Sequence, residues 1–126
     1  MARTILGEAR GEGELGMTAV AWVIRNRAAN PRWWGRSVTE VCKKPFQFSC
    51  WLKGDKNYKL VATDAFALHP LARKARQIAQ SVLSGSVPDP TNGADHYRHY
   101  GVDPAWDDGH QPVASIGAHR FYRLEI

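Results

Sequence analysis

The stretch GEARGE, residues 7–12, holds two glutamates four residues apart with glycines on either side. At i and i+4 they would share a helical face, yet Gly11 between them costs a helix interior about 1 kcal/mol relative to alanine, so the two acids belong to different settings. A carboxylic acid set among apolar groups keeps its proton, and a protonated carboxyl can pass it to the departing oxygen of a glycosidic bond. Glu12 and Glu14 have an ordinary use as acids in the first turn of a following helix, worth about 0.3–1 kcal/mol each. Glu8 stands near the end of its own short helix, where a negative charge is unfavourable. Glu8 is therefore the candidate catalytic acid, and Glu12 is a secondary candidate for helix support or the edge of a groove.

A second group of residues suits sugars. Phe46, Gln47, Phe48, Ser49 and Trp51 form the loop FQFSCW, accompanied by Trp33, Trp34, Tyr58, Tyr97, Tyr100 and Trp106. Aromatic faces pack on the axial hydrogens of a pyranose while amides and hydroxyls bind its edges, although any one ring could equally be core. Histidine offers less. His96 and His99 in HYRH could share a metal on a helix, but in a strand residues i and i+3 point to opposite faces, so no metal site is expected. No G-x-S-x-G elbow is present, and GEGELG lacks the lysine and preceding strand of a phosphate-binding loop. Asp55, Asp64 and Asp95 remain open as a second acid.

The elements that must position these groups follow from periodicity. ARTILGEAR makes two helical turns, which Gly11 is expected to stop in a left-handed conformation. Met17, Val20, Ala21, Ile24 and Ala28 then form a single apolar stripe on a helix over 14–29, ended by Asn30-Pro31. Residues 31–62 read mostly as connection, with a short helix over 37–43 capped by Ser37 and Glu40. A further helix runs over 70–84, from Pro70 to the stop at Gly85, with Leu71, Ala75, Ile78, Ala79 and Val82 inward. The tail predicts a two-stranded hairpin, 94–100 with 115–123. The fold class is thus α+β, mainly α, in a single domain over residues 1–126.

Composition bounds the rest. The chain has 126 residues, 44% of them hydrophobic, with five Trp, enough for one core. No apolar run reaches the ~18 residues of a membrane span, and the N-terminus lacks signal-peptide order. Seventeen Lys and Arg against twelve Asp and Glu give a net charge of +5, which suits polyanions such as nucleic acid, an anionic membrane surface or acidic wall polymers. Cys42 and Cys50 are too few for a disulfide scaffold and could be one bridge or two thiols.

In order along the chain, ARTILGEARGEGELGMTAVAWVIRNR, QFSCW, PDPTNGADHY and IGAHRFYR resemble the SleB-type cell-wall hydrolase family, which includes spore cortex-lytic enzymes and related phage and proteobacterial lysins. The resemblance implies a lysozyme-like (lytic transglycosylase-like) domain that cuts peptidoglycan glycan between N-acetylmuramic acid and N-acetylglucosamine without a cofactor. It implies Glu8 as the catalytic acid and Gln47, Phe48, Ser49 and Trp51 as groove residues, with Tyr97 and His119 in matching positions of the tail. The spore enzymes carry an export signal and a wall-binding module. Since this sequence carries neither, the expectation is a phage endolysin or a catalytic fragment, monomeric and made in the cytoplasm, that reaches the wall after membrane permeabilisation, with no nucleic-acid partner and no membrane insertion. Two readings compete: a metal-dependent amidase using His96, His99 or His119, and a non-catalytic wall or nucleic-acid binding module.

Overall fold

Helix α2 (Gly13–Ala29) is the axle of the molecule, with every residue from Gly16 to Ile24 buried. A computed structural model of the chain describes residues 1–125. Met17, Val20, Ala21 and Ile24 pack into the main core with Ile5, Leu6, Trp34, Phe66 and Ile78, as the stripe predicts. Ala19 and Val23 form a second cluster with Ala94 and Phe121. The single expected stripe is therefore two faces: a helix buried on all sides has no solvent side for a moment to define.

Helix α1 (Ala2–Ala9) lies on the first of these faces, with Ile5 and Leu6 fully buried. Its N-terminal turn is tied down by Arg3, whose Nη1 donates to the carbonyls of Val61 (3.0 Å) and Thr63 (2.8 Å). Gly11 does not terminate it. The helix runs into a 3₁₀ turn over Arg10–Glu12, and the positive φ falls at Gly13 (76°). Arg10 Nη1 donates to the carbonyls of Leu6 (3.2 Å) and Gly7 (3.3 Å), which satisfies the last turn and defers the reversal by two residues.

Residues 31–62 are more ordered than the sequence suggests. Helix α3 (Val38–Lys43) has the expected cap, Ser37 Oγ accepting from Glu40 N at 3.1 Å. A 3₁₀ turn (Ser49–Trp51) and the short helices α4 (Tyr58–Ala62) and α5 (Ala65–Leu68) follow. Helix α6 (Ala72–Ser84) starts two residues later than expected, because Pro70 belongs to a turn in which His69 Nδ1 accepts from Leu71 N (3.0 Å). It ends at Gly85 (φ 74°) with Gly85 N bound to the Val82 carbonyl and Ser86 N to that of Ser81, a Schellman closure.

The tail has three strands rather than two: β1 (His96–His99), β2 (Ala114–Ile116) and β3 (His119–Tyr122), antiparallel in the order β1-β3-β2. The segment read as one strand folds on itself at Gly117 (φ 56°) and Ala118, a two-residue turn. Glu12 holds that turn by accepting from Ala118 N at 3.4 Å. Both cysteines are buried free thiols.

Candidate active site

Glu8 sits in the last turn of α1, and Gly7 before it lets another segment come close. A Cβ at Gly7 would lie 2.6 Å from Val61 Cγ1 and 2.9 Å from Cys50 Cβ, so only glycine admits the 49–51 turn against the helix. That approach brings Cys50 N to 3.4 Å from Glu8 Oε2. From the other side, strand β1 delivers Tyr97, whose hydroxyl donates to Glu8 Oε1 at 2.9 Å.

The protonation states follow. Burial pushes the Glu8 carboxyl above its ordinary value; the Tyr97 and Cys50 hydrogen bonds pull it back only in part, and the nearby Asp55 charge adds to the rise. Burial and Glu8 push the Tyr97 hydroxyl well up, so it stays a donor. The Cys50 thiol is pushed up by burial and by Glu8, which leaves it neutral and a poor nucleophile. The site is thus one acid inclined to hold its proton, with a neutral donor fixing one oxygen.

Glu8 and Tyr97 open into a groove of about 670 Å³, floored by Arg27, Gln47 and Phe48. Trp33, Phe46 and Trp106 line its lip, with His96, His110 and Glu125 at the margin. Phe46 is 81% exposed at φ 65°, a conformation non-glycine residues seldom take. Trp106 is steadied edge-on against Tyr122 (5.2 Å) and near His96 (5.0 Å). An aromatic channel with a few polar groups at its base suits a saccharide.

Of the residues singled out in the sequence, Glu8, Gln47, Phe48 and Tyr97 meet in this groove. Ser49 and Trp51 stand outside its lining. Ser49 is exposed and opens the 3₁₀ turn, while the Trp51 indole donates to Thr4 Oγ1 at 2.9 Å and braces α1. His119 is buried edge-on to Tyr97 (5.1 Å), supporting the tyrosine from behind. Glu12 is the N-cap residue of α2 and accepts from Ala118 N in the β2–β3 turn, so it stands at the positive end of the helix and also tethers that helix to the sheet. His96 reaches the groove margin while His99 is exposed and stacks on Tyr100 (4.7 Å). Among the described residues no His, Cys, Asp or Glu group could hold a metal.

The three aspartates differ. Asp55 is felt by Glu8 but spends Oδ1 on Asn57 N (2.8 Å), and Asp64 is exposed before α5. Asp95 is fully buried. Burial would raise its pKa, but bonds from His96, Leu124 N and Glu125 N outweigh that and hold it low. The second carboxylate of the groove is Glu125, which sequence reading missed, as it missed Arg27. For Arg27 a signal existed, a cation at i+3 from Ile24 and i+7 from Val20 and so on the apolar stripe of α2; for Glu125 there was none.

The sequence model of the family described as Cell Wall Hydrolase matches residues 11–122, beginning just after Glu8. A spore cortex-lytic enzyme of Halalkalibacterium halodurans is 32% identical over 124 residues; the match takes in 96% of this chain and 33% of that protein, so the chain spans about a third of its curated relative. Among solved structures, the catalytic domain of the germination-specific lytic transglycosylase SleB from Bacillus anthracis superposes with a TM-score of 0.71 at 27% identity, covering 96% of this chain and 88% of that one. The SleB catalytic domain of Bacillus cereus gives 0.71 at 26%, covering 96% and 84%.

Proposed function

This chain belongs to the cell wall hydrolase family, and from that premise we propose that it cleaves peptidoglycan glycan between N-acetylmuramic acid and N-acetylglucosamine as a lytic transglycosylase, with Glu8 as the acid and then the base. The observation that carries the reading is a carboxyl whose pKa is raised by burial, held between Tyr97 and Cys50, in the lining of an aromatic groove. Tyr97 occupies Oε1 at 2.9 Å and the contact at Oε2 is the looser one, 3.4 Å, so Oε2 carries the transferable proton. It passes to the glycosidic oxygen as the bond from the muramyl C1 breaks. The carboxylate then accepts the proton of the muramyl 6-hydroxyl, whose oxygen closes on C1. One bond breaks, one forms, and no water is consumed.

Digestion of purified peptidoglycan by the wild type and Glu8→Gln, with mass analysis of the products, tests the reading. Anhydromuramyl ends, one water lighter than hydrolysis products and absent with Glu8→Gln, support it. Reducing muramyl ends favour a muramidase instead, and Glu125 in the same groove is the carboxylate that would activate water. Released amino groups with intact glycan refute both.

The setting that fits this activity is lysis from within, as a monomeric endolysin acting on the wall once a separate agent opens the membrane. Among the described residues no helix is long and apolar enough to cross a membrane. Cells that accumulate the protein should lyse promptly on addition of a membrane-permeabilising agent; lysis without one would contradict the dependence.

A further inference from the structure

Arg27 is a cation in the wrong place for a purely structural residue. It is 5% exposed on α2, and it lines the same groove as Glu8. Its Nε donates to the Asp95 carbonyl at 2.7 Å, and Nη1 reaches Gln47 Oε1 only at 3.5 Å, the limit of a hydrogen bond. With five N–H donors in its fork, two such bonds leave the guanidinium capacity for a further acceptor on the groove side. Three rings flank the guanidinium carbon, Trp34 at 5.3 Å, Trp33 at 5.7 Å and Phe48 at 5.8 Å, and they exclude water from its sides.

A buried cation needs a counter-charge, since desolvation costs several kcal/mol. Asp95 and Glu125 give it part of that charge from nearby, while their oxygens accept from other groups: Asp95 from His96, Leu124 N and Glu125 N, and Glu125 Oε2 from the Trp33 indole at 2.9 Å. The groove therefore presents a planar guanidinium, flanked by rings, with donor capacity left on its two terminal nitrogens. A guanidinium fork matches a carboxylate bidentately.

We propose that Arg27 is the carboxylate-recognising residue of the groove, and that its ligand is the free carboxylate of the lactyl ether on a muramyl sugar beside the scissile bond. This rests on the glycan reading above. Arg27, Tyr97 and Glu8 line the same groove, and Tyr97 bonds Glu8, so the carboxylate subsite adjoins the reacting centre. In intact wall that lactyl carboxyl is amide-linked to a stem peptide; hydrolysis of the amide is then the class of reaction that supplies the preferred strand.

Binding is measured on Glu8→Gln, so that it does not depend on turnover, with three tetrasaccharides: alternating muramyl and glucosaminyl units with free lactyl carboxylates, the same with lactyl carboxamides, and an all-N-acetylglucosamine chain. The carboxylate ligand should bind about tenfold more tightly than either neutral one, and should alone shift the Arg27 side-chain ¹⁵N resonances. Adding Arg27→Met should erase the difference, while Arg27→Lys retains part of it. Equal binding of the acid and carboxamide ligands, or an unmoved Arg27 resonance, overturns the proposal even if Arg27→Met fails to fold. Binding of none of the three would instead bring down the glycan reading.

Discussion

Glu8 is governed by two opposed effects on one carboxyl. Burial raises its pKa, and the Tyr97 hydroxyl lowers it while orienting Oε1. Tyr97→Phe removes only the second effect, so the Glu8 pKa should climb further and the alkaline limb of the rate profile should move to higher pH. The maximal rate should drop about tenfold with the loss of orientation; an unmoved alkaline limb would show that Tyr97 does not set this acid. Glu8→Gln should lower the rate by about 10²–10⁴-fold. The same substitution has a thermodynamic signature of opposite sense. Between the unfolded pKa of Glu8 and its raised folded value, the native state binds more protons than the unfolded one, so wild-type stability falls as pH rises through that window. Glutamine has no charge to desolvate. Denaturant midpoints should therefore agree between the two proteins at acid pH, and Glu8→Gln should become the more stable one above the window.

At the scale of elements, the site exists because α1 and the 49–51 turn touch, and Gly7 is the contact. Gly7→Ala would force a Cβ to within 2.6 Å of Val61 and 2.9 Å of Cys50, an overpacking that should cost about 1–3 kcal/mol in urea unfolding. Because Glu8 is the next residue, kcat should fall with it even in the folded fraction; full activity would mean that the turn, not the helix, yields. The elements that local pattern encodes were legible in the sequence: the Ser37 cap, the Gly85 stop, and the inward face of α6 from Ala75 to Val82. What escaped reading depends on contacts between distant segments. Gly11 lost the terminator role because Arg10 capped α1 with its side chain, and the tail strand split at Gly117 where Glu12 meets it. Glu8, Gln47, Phe48 and Tyr97 were recognisable by type and motif. Arg27 was marked only by its place on the apolar stripe and Glu125 by nothing, since each becomes a groove residue only when α2, β1 and the C-terminal segment close on one another.

At the scale of the whole molecule, two cores share α2: the helical one takes in Ile5 and Leu6 of the helix that bears Glu8, and Tyr97 packs against both it and the sheet-side one. At the lip of the groove, Arg98 binds Asp107 at 2.7 Å and the Tyr122 hydroxyl at 2.9 Å, which anchors the loop bearing Trp106. Around it the chain carries a net charge of +5, little of it neutralised in strong pairs. Lys74 and Glu14, for example, meet at 3.5 Å with both side chains largely in water, a pair worth less than about 1 kcal/mol. A positive body approaching an anionic wall gains encounter rate over a distance set by the Debye length, about 10 Å at 0.1 M salt and about 3 Å at 1 M. On the reading that Glu8 is the acid, its step takes place at contact distance from the glycan and should be screened far less. Salt should therefore slow the attack on whole walls while leaving a short neutral oligosaccharide unaffected. Initial rates of turbidity loss are expected to fall about tenfold between 20 mM and 500 mM salt, against a flat response with the soluble ligand. If both responses are flat, attraction to the wall plays no part and only the groove selects the substrate; if both fall together, salt acts on the site itself.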